Sequence, residues 1–106
     1  MSQAILVLTT APDEQTARQL AEALLEARLA ACINILPRMT SLYRWKGQME
    51  EGTEHQLFIK TRAECYPAVE QKLRALHPYE LPELIVTPIT GGLSAYLNWI
   101  DESTQQ

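Results

Sequence analysis

Cysteine and histidine each occur only twice in 106 residues, and glycine four times. Cys32 and Cys65 are far apart, with neither a CxxC pair nor a Cys/His zinc spacing. They read as reduced thiols rather than a disulfide framework. Two His with two Cys make a four-ligand zinc site only if all four converge. Long apolar runs are also missing. The longest, Ala4-Ile5-Leu6-Val7-Leu8 and Leu84-Ile85-Val86, are strand-sized, far below the roughly 18 residues of a membrane-spanning helix. The first is too short, and lacks the basic start, for a secretory segment, so a cytoplasmic protein without membrane insertion is expected. Nine basic residues stand against 13 acidic, a net charge of −4, with no Lys/Arg cluster. Nucleic acid and anionic membranes are therefore not expected partners. No GxGxxG, GxxxxGK[ST] or GxSxG occurs, and Ser, His and Asp show no triad spacing, so no enzyme is expected.

What is present is ordinary globular material, 46% hydrophobic and 21% charged, which excludes disorder as the main theme. The length fits a single domain over 1–106. A domain this small buries only about two-thirds of its unfolded surface, so oligomerisation would help it.

Residues 3–10 read as a buried strand, stopped at Ala11-Pro12-Asp13. Asp13 is a good N-cap for a helix over 13–28, with Ala17, Leu20, Ala21, Leu24 and Leu25 on one stripe. Residues 30–36 form a second strand, bent or bulged at Pro37 and resuming over 40–46. Gly47 begins a turn, Gly52 allows another, and 54–61 completes a long hairpin. A second helix spans 63–77, with Pro67 in its first turn, Val69, Leu73 and Leu76 as its stripe, and Pro78 as its stop. Residues 84–87 are a fourth strand, Gly91-Gly92 a turn, and Ser94 caps a short last helix before a frayed tail at 103–106. The order β-α-β-β-α-β plus a helix is the α+β, ferredoxin-like arrangement, an antiparallel sheet with both main helices on one face. That fold hosts many functions and settles none.

The segment His77-Pro78-Tyr79-Glu80-Leu81-Pro82-Glu83 concentrates an imidazole, a phenol and two carboxylates on a chain stiffened by two prolines. It is either a rigid helix-to-strand connection capped by His77, or a divalent-metal site in which carboxylates assist the imidazole. Cys32, among small apolar neighbours, reads as buried and inert, and Cys65, at a helix start, as the more accessible thiol. Tyr43 and Trp45 share one face of the hairpin and serve either the core or a neighbouring subunit. Glu50, Glu51 and Glu54 make an acidic turn that is solvated or attracts cations. His55, beside Glu54, is the next imidazole to consider.

Five stretches in order carry a resemblance: Leu29-Ala30-Ala31-Cys32-Ile33-Asn34, Ser41-Leu42-Tyr43-Arg44-Trp45-Lys46-Gly47, Ile59-Lys60-Thr61, His77 to Glu83, and Tyr96-Leu97-Asn98-Trp99. Over essentially its whole length the chain resembles the CutA divalent-cation tolerance proteins. The resemblance implies a ferredoxin-like protomer similar to PII signalling proteins, a tight homotrimer, a cytoplasmic role in metal tolerance, and Cu(II) binding. Some bacterial members carry Cys at the position of Thr9 and His at that of Leu76, taken as copper ligands together with the following His. Here His77 alone of the three is present. A metal site then rests on His77 with Glu80 and Glu83, or with carboxylates of another subunit. The alternative is a PII-like regulatory or scaffolding trimer that binds a small molecule or a partner protein in its inter-subunit clefts.

Overall fold

A computed structural model describes residues 3–106. Its first strand, β1 (Ala4–Ala11), alternates inward and outward side chains and runs through the middle of the sheet. Helix α1 (Glu14–Glu26) follows at once. The Asp13 carboxylate accepts the Thr16 N–H at 2.7 Å, satisfying one of the orphan donors of the first turn. Arg28, at φ 59°, reverses the chain after the helix, and Leu29 N–H closes back on the Leu24 carbonyl. Two short strands come next, β2 (Cys32–Ile35) and β3 (Met39–Trp45). Lys46 and Gly47, both at positive φ, make the two-residue turn into β4 (Gln48–Arg62). A single 3₁₀ turn (Ala63–Cys65) leads to α2 (Tyr66–Leu76), with Pro67 in its opening turn. The edge strand β5 (Ile85–Pro88) and α3 (Ser94–Ser103) complete the chain.

The sheet order is β2-β4-β1-β5, all antiparallel, with β3 also paired to β4. This is the α+β, ferredoxin-like order expected from the sequence. Pro37 and its neighbours split the second strand as expected. β2 pairs with Leu57–Lys60 and β3 with Gln48–Glu54, so the two halves lie in tandem along one edge of β4. The hairpin carries the long dimension of a molecule measuring 44 × 25 × 23 Å.

Period-two alternation decides the layers. Ile5, Val7, Leu57 and Ile59 face a core completed by Ala17, Leu20, Leu24, Val69 and Leu73 from α1 and α2. Helix α3 packs on the opposite face. There Ile100 is buried, the Arg62 guanidinium donates to Thr104, and Lys60 Nζ lies 5.7 Å from the Tyr96 ring centre. No helix among the described residues is long and apolar enough to cross a membrane.

Five local expectations are corrected. Gly52 lies inside β4 rather than in a turn; it stands opposite Ser41, and the Tyr43 phenol occupies the space beside its missing side chain. Ser94 is the first residue of α3, not its cap. The cap is Leu93, whose carbonyl accepts the Tyr96 and Leu97 N–H groups. Leu25 and Leu76 fall outside their buried stripes, because the sheet and the facing helix leave those flanks open. The tail is anchored: Thr104 is fully buried, and Gln105 O accepts the Arg28 Nε–H at 2.9 Å. These bonds join residues more than forty positions apart, beyond the reach of local pattern.

The cysteines are reversed as well. Cys65 is buried in the core with its thiol on the Thr104 carbonyl, whereas Cys32 is half-buried on β2 with Lys60 Nζ 3.9 Å from its sulfur. The 3₁₀ turn before α2 faces Cys65 inward, and the strand alternation leaves Cys32 on the face opposite the main core. A maleimide or disulfide probe should therefore modify Cys32 before Cys65 in the native protein, and Cys65 only on unfolding. Mass mapping that finds Cys65 modified first contradicts this placement. Leu57→Ala, at the centre of the core, should lower stability by about 2–5 kcal/mol, read from the shift of the urea midpoint.

Candidate metal and ligand cleft

Helix α2 ends at His77, where Pro78 forbids another turn. His77 is the C-cap: its N–H still bonds the Leu73 carbonyl, while its backbone has turned extended, at φ −72° and ψ 134°. The ring does not return to the helix carbonyls. It reaches across to β1, and Nε2 lies 2.7 Å from the Thr10 carbonyl oxygen. A carbonyl can only accept, so Nε2 carries the proton. Nδ1 then holds the free lone pair, and it accepts the Tyr79 backbone N–H at 3.2 Å. The His77 and Tyr79 rings stand 4.7 Å apart at 50°. His77 is thus buried and engaged at both nitrogens.

Glu54 joins this group from β4. Its Oε2 accepts the Tyr79 phenol and the Thr10 hydroxyl, each at 2.9 Å. Partial burial pushes the Glu54 carboxyl up, but the hydrogen bonds from Ser41, Tyr79 and Thr10 and the nearby His77 together hold it below its ordinary value. Burial, the bond to Glu54 and that carboxylate's charge push the Tyr79 phenol up, out of the physiological range. Thr10 is the hinge of the arrangement: its carbonyl orients His77 and its hydroxyl orients Glu54.

Glu83, further along the proline-stiffened segment, accepts a bond from Gln56 Nε2 at 2.9 Å. The same amide donates to the Thr9 carbonyl at 2.8 Å. Glu80 is exposed. An open cleft of about 900 Å³ lies along this side, lined among others by Thr10, Tyr43, Glu54, Gln56, Tyr79 and Glu83. Thr9 points to the core side, and its hydroxyl is buried without a partner. Leu76 is about half exposed.

The segment singled out in the sequence is therefore built into the sheet through His77 and Glu83, with Glu80 left at the surface. Among the described residues, no three His, Cys, Asp or Glu side chains gather closely enough to hold an ion. His55, the second candidate imidazole, lies elsewhere: its Nδ1 meets the Leu36 carbonyl at 3.0 Å, at the break between β2 and β3. The acidic turn separates too. Glu50 and Glu51 stay exposed on β4 while Glu54 turns into the network. Thr10 and Gln56 had no local signal, because only the β1–β4 register brings them opposite each other.

A family model, the CutA1 divalent ion tolerance protein, matches residues 5–103. The chain belongs to the CutA1 divalent ion tolerance family. A CutA divalent-cation tolerance protein of Thermus thermophilus is 46% identical over 99 residues, covering 93% of this chain and 96% of that protein. A solved CutA1 structure from that organism superimposes with a TM-score of 0.94 at 45% identity, covering 96% of this chain and 99% of the other. The structure of a CutA from Archaeoglobus fulgidus, described as periplasmic, gives 0.93 at 37% identity, with 96% and 99% covered. For a divalent cation, the described residues offer single donors of suitable type rather than an assembled cluster. His77 has one ring nitrogen bonded to a backbone carbonyl, as metal-binding imidazoles commonly do, and Glu83 is a supported carboxylate.

The network also sets a pH dependence. The folded Glu54 carboxyl titrates below its ordinary value, so its contribution is complete above about pH 4.5 and is lost as pH falls through the lowered value. Glu54→Gln removes that titration. Across a series of urea denaturations below about pH 4.5, the wild type should lose more stability than Glu54→Gln. Parallel losses in the two proteins would contradict the role given to Glu54.

Proposed function

We propose that this chain serves divalent-cation tolerance as a cytoplasmic, PII-like homotrimer that binds Cu(II) through His77, with a carboxylate from Glu80, from Glu83 or from another subunit assisting the imidazole. The observation that carries the reading is the fixed His77 ring: Nε2 is spent on the Thr10 carbonyl, and Nδ1, which accepts the Tyr79 N–H, carries the lone pair a cation would take. Imidazole with carboxylates suits Cu(II) among the common divalent ions. Thr9 and Leu76 stand where some relatives carry Cys and His, so the affinity should be modest. The remaining coordination positions fall to water or a neighbouring subunit.

Assembly is supported by what one chain leaves uncovered. Strand β5 is exposed along its length, including Ile85 and Val86, and Leu81, Leu93 and Trp99 are exposed nearby. Residues Gln48–Glu54 of β4 pair with β3 on one side only. Unpaired edges beside apolar side chains favour association with further copies.

The second reading is a regulatory trimer that holds a small molecule or a partner protein in inter-subunit clefts. The open cleft at Thr10, Glu54 and Tyr79 favours it. Calorimetric titration separates the two. Saturable Cu(II) binding that is lost in His77→Ala supports the metal reading. Unchanged stoichiometry and affinity in His77→Ala rejects it. Sedimentation at micromolar concentration should give a trimer mass for both proteins, and a monomer mass would reject the assembly.

A further inference from the structure

Away from the cleft, β2 and β4 bring a thiol and a primary amine together on the face that receives α3. We infer that Cys32 and Lys60 are a peroxide-sensitive pair: once a hydroperoxide has oxidised the Cys32 thiol, the Lys60 amine closes on the sulfur and links the two strands as a reversible sulfenamide.

Cys32 and Lys60 are direct partners in the β2–β4 ladder. Side chains so paired share one face of the sheet, with Cβ atoms about 4.5–5.5 Å apart. The Ala31 N–H bonds the Lys60 carbonyl at 2.9 Å and pins the strands at this point. Lys60 Nζ lies 3.9 Å from Cys32 Sγ and 3.5 Å from the Tyr96 hydroxyl, so α3 holds the amine beside the sulfur. Asn34 Oδ1 stands 4.0 Å from the same sulfur. Cys32 is half-buried, open to a small oxidant, whereas Cys65 is sealed in the core on the Thr104 carbonyl. A sulfenic acid on Cys32 therefore has no resolving thiol within reach in its own chain, and the neighbour it does have is a nitrogen.

The chemistry balances in two steps. The Cys32 sulfur attacks the peroxide: an S–O bond forms, the O–O bond breaks, and water or an alcohol leaves. Sulfur is oxidised by two electrons and the peroxide is reduced by two. The Lys60 ammonium then releases a proton to solvent, and its lone pair attacks the sulfenic sulfur. The S–N bond forms as the S–O bond breaks, and the hydroxyl leaves as water with a second proton from the nitrogen. No further oxidant is consumed. Lys60 takes the part that a backbone nitrogen plays in other sulfenamides. Two external thiols reverse the link, one bonding the sulfur and the second releasing Cys32 as a disulfide forms between them. The link stops the sulfur short of the irreversible sulfinic and sulfonic acids. It also removes a cation 5.7 Å from the centre of the Tyr96 ring, which packs on Trp99, so α3 senses the oxidation.

Hydrogen peroxide added to the native protein should lower its intact mass by about 2 Da and give a Cys32–Lys60 linked peptide on digestion, both reversed by a thiol reductant. Lys60→Arg keeps a cation beside the sulfur but not a nucleophilic amine, and Lys60→Met removes both. In each variant the sulfenic acid should persist, with about tenfold more dimedone adduct on Cys32 than in the wild type and onward conversion to sulfinic acid. Cys32→Ser should give neither product. Absence of the linked peptide from the oxidised wild type overturns the pair, whether or not the variants fold. Equal dimedone labelling of the wild type and both variants, or a disulfide between the Cys32 residues of two copies as the main product, overturns it as well.

Discussion

Strand β4 meets β1 along one side and both β2 and β3 along the other, and nearly every other feature depends on that pairing. Register in such a sheet is unforgiving, because a slip of one residue turns every side chain to the other face. With Leu57 and Ile59 inward, Gln56, Phe58, Lys60 and Arg62 are forced onto the opposite face. Lys60 and Arg62 there receive α3, and Gln56 reaches Thr9 and Glu83. The core and the cleft are thus two consequences of one register.

The length of β4 matters as much as its register. Beyond His55 towards its start, the strand leaves β1 behind and continues with β3 alone, so the hairpin projects from the body with Leu42, Tyr43 and Met49 exposed. Glu54 sits where the two regimes meet, the last β4 residue on β3's register before β1 takes over the opposite side. That position lets one carboxylate collect donors from β1, from β3 and from the segment after α2. A hairpin rising from the sheet and a loop leaving a helix are held together there by a charged group rather than by apolar packing. A hydrogen bond to a charged group is worth about 1.5–3 kcal/mol, more than a neutral one.

Pro78 and Pro82 give the His77–Glu83 segment its stiffness, and the sheet gives it its attachment. His77 and Glu83 are tied to the backbone of β1, directly at Thr10 and through Gln56 at Thr9. A stiff segment fixed at both ends presents its donors with little conformational freedom, and preorganisation of this kind favours ligand binding.

The sequence by itself determined the order of elements, the tandem second strand split at Pro37, the start of α1 at Asp13, and the family, because each rests on local chemistry or on contiguous motifs. It singled out His77, Glu80 and Glu83 for the same reason. Tertiary structure alone decided which cysteine is buried, that the tail at Thr104 is anchored, and that Gly52 belongs to a strand. It also decided that Thr10, Glu54 and Tyr79 form one network around His77. Apart from the neighbours His77 and Tyr79, the bonded partners are 25 to 67 positions apart. Only strand register brings them within hydrogen-bond distance, and register follows from burying the whole inward face of the sheet at once rather than from any local run of residues.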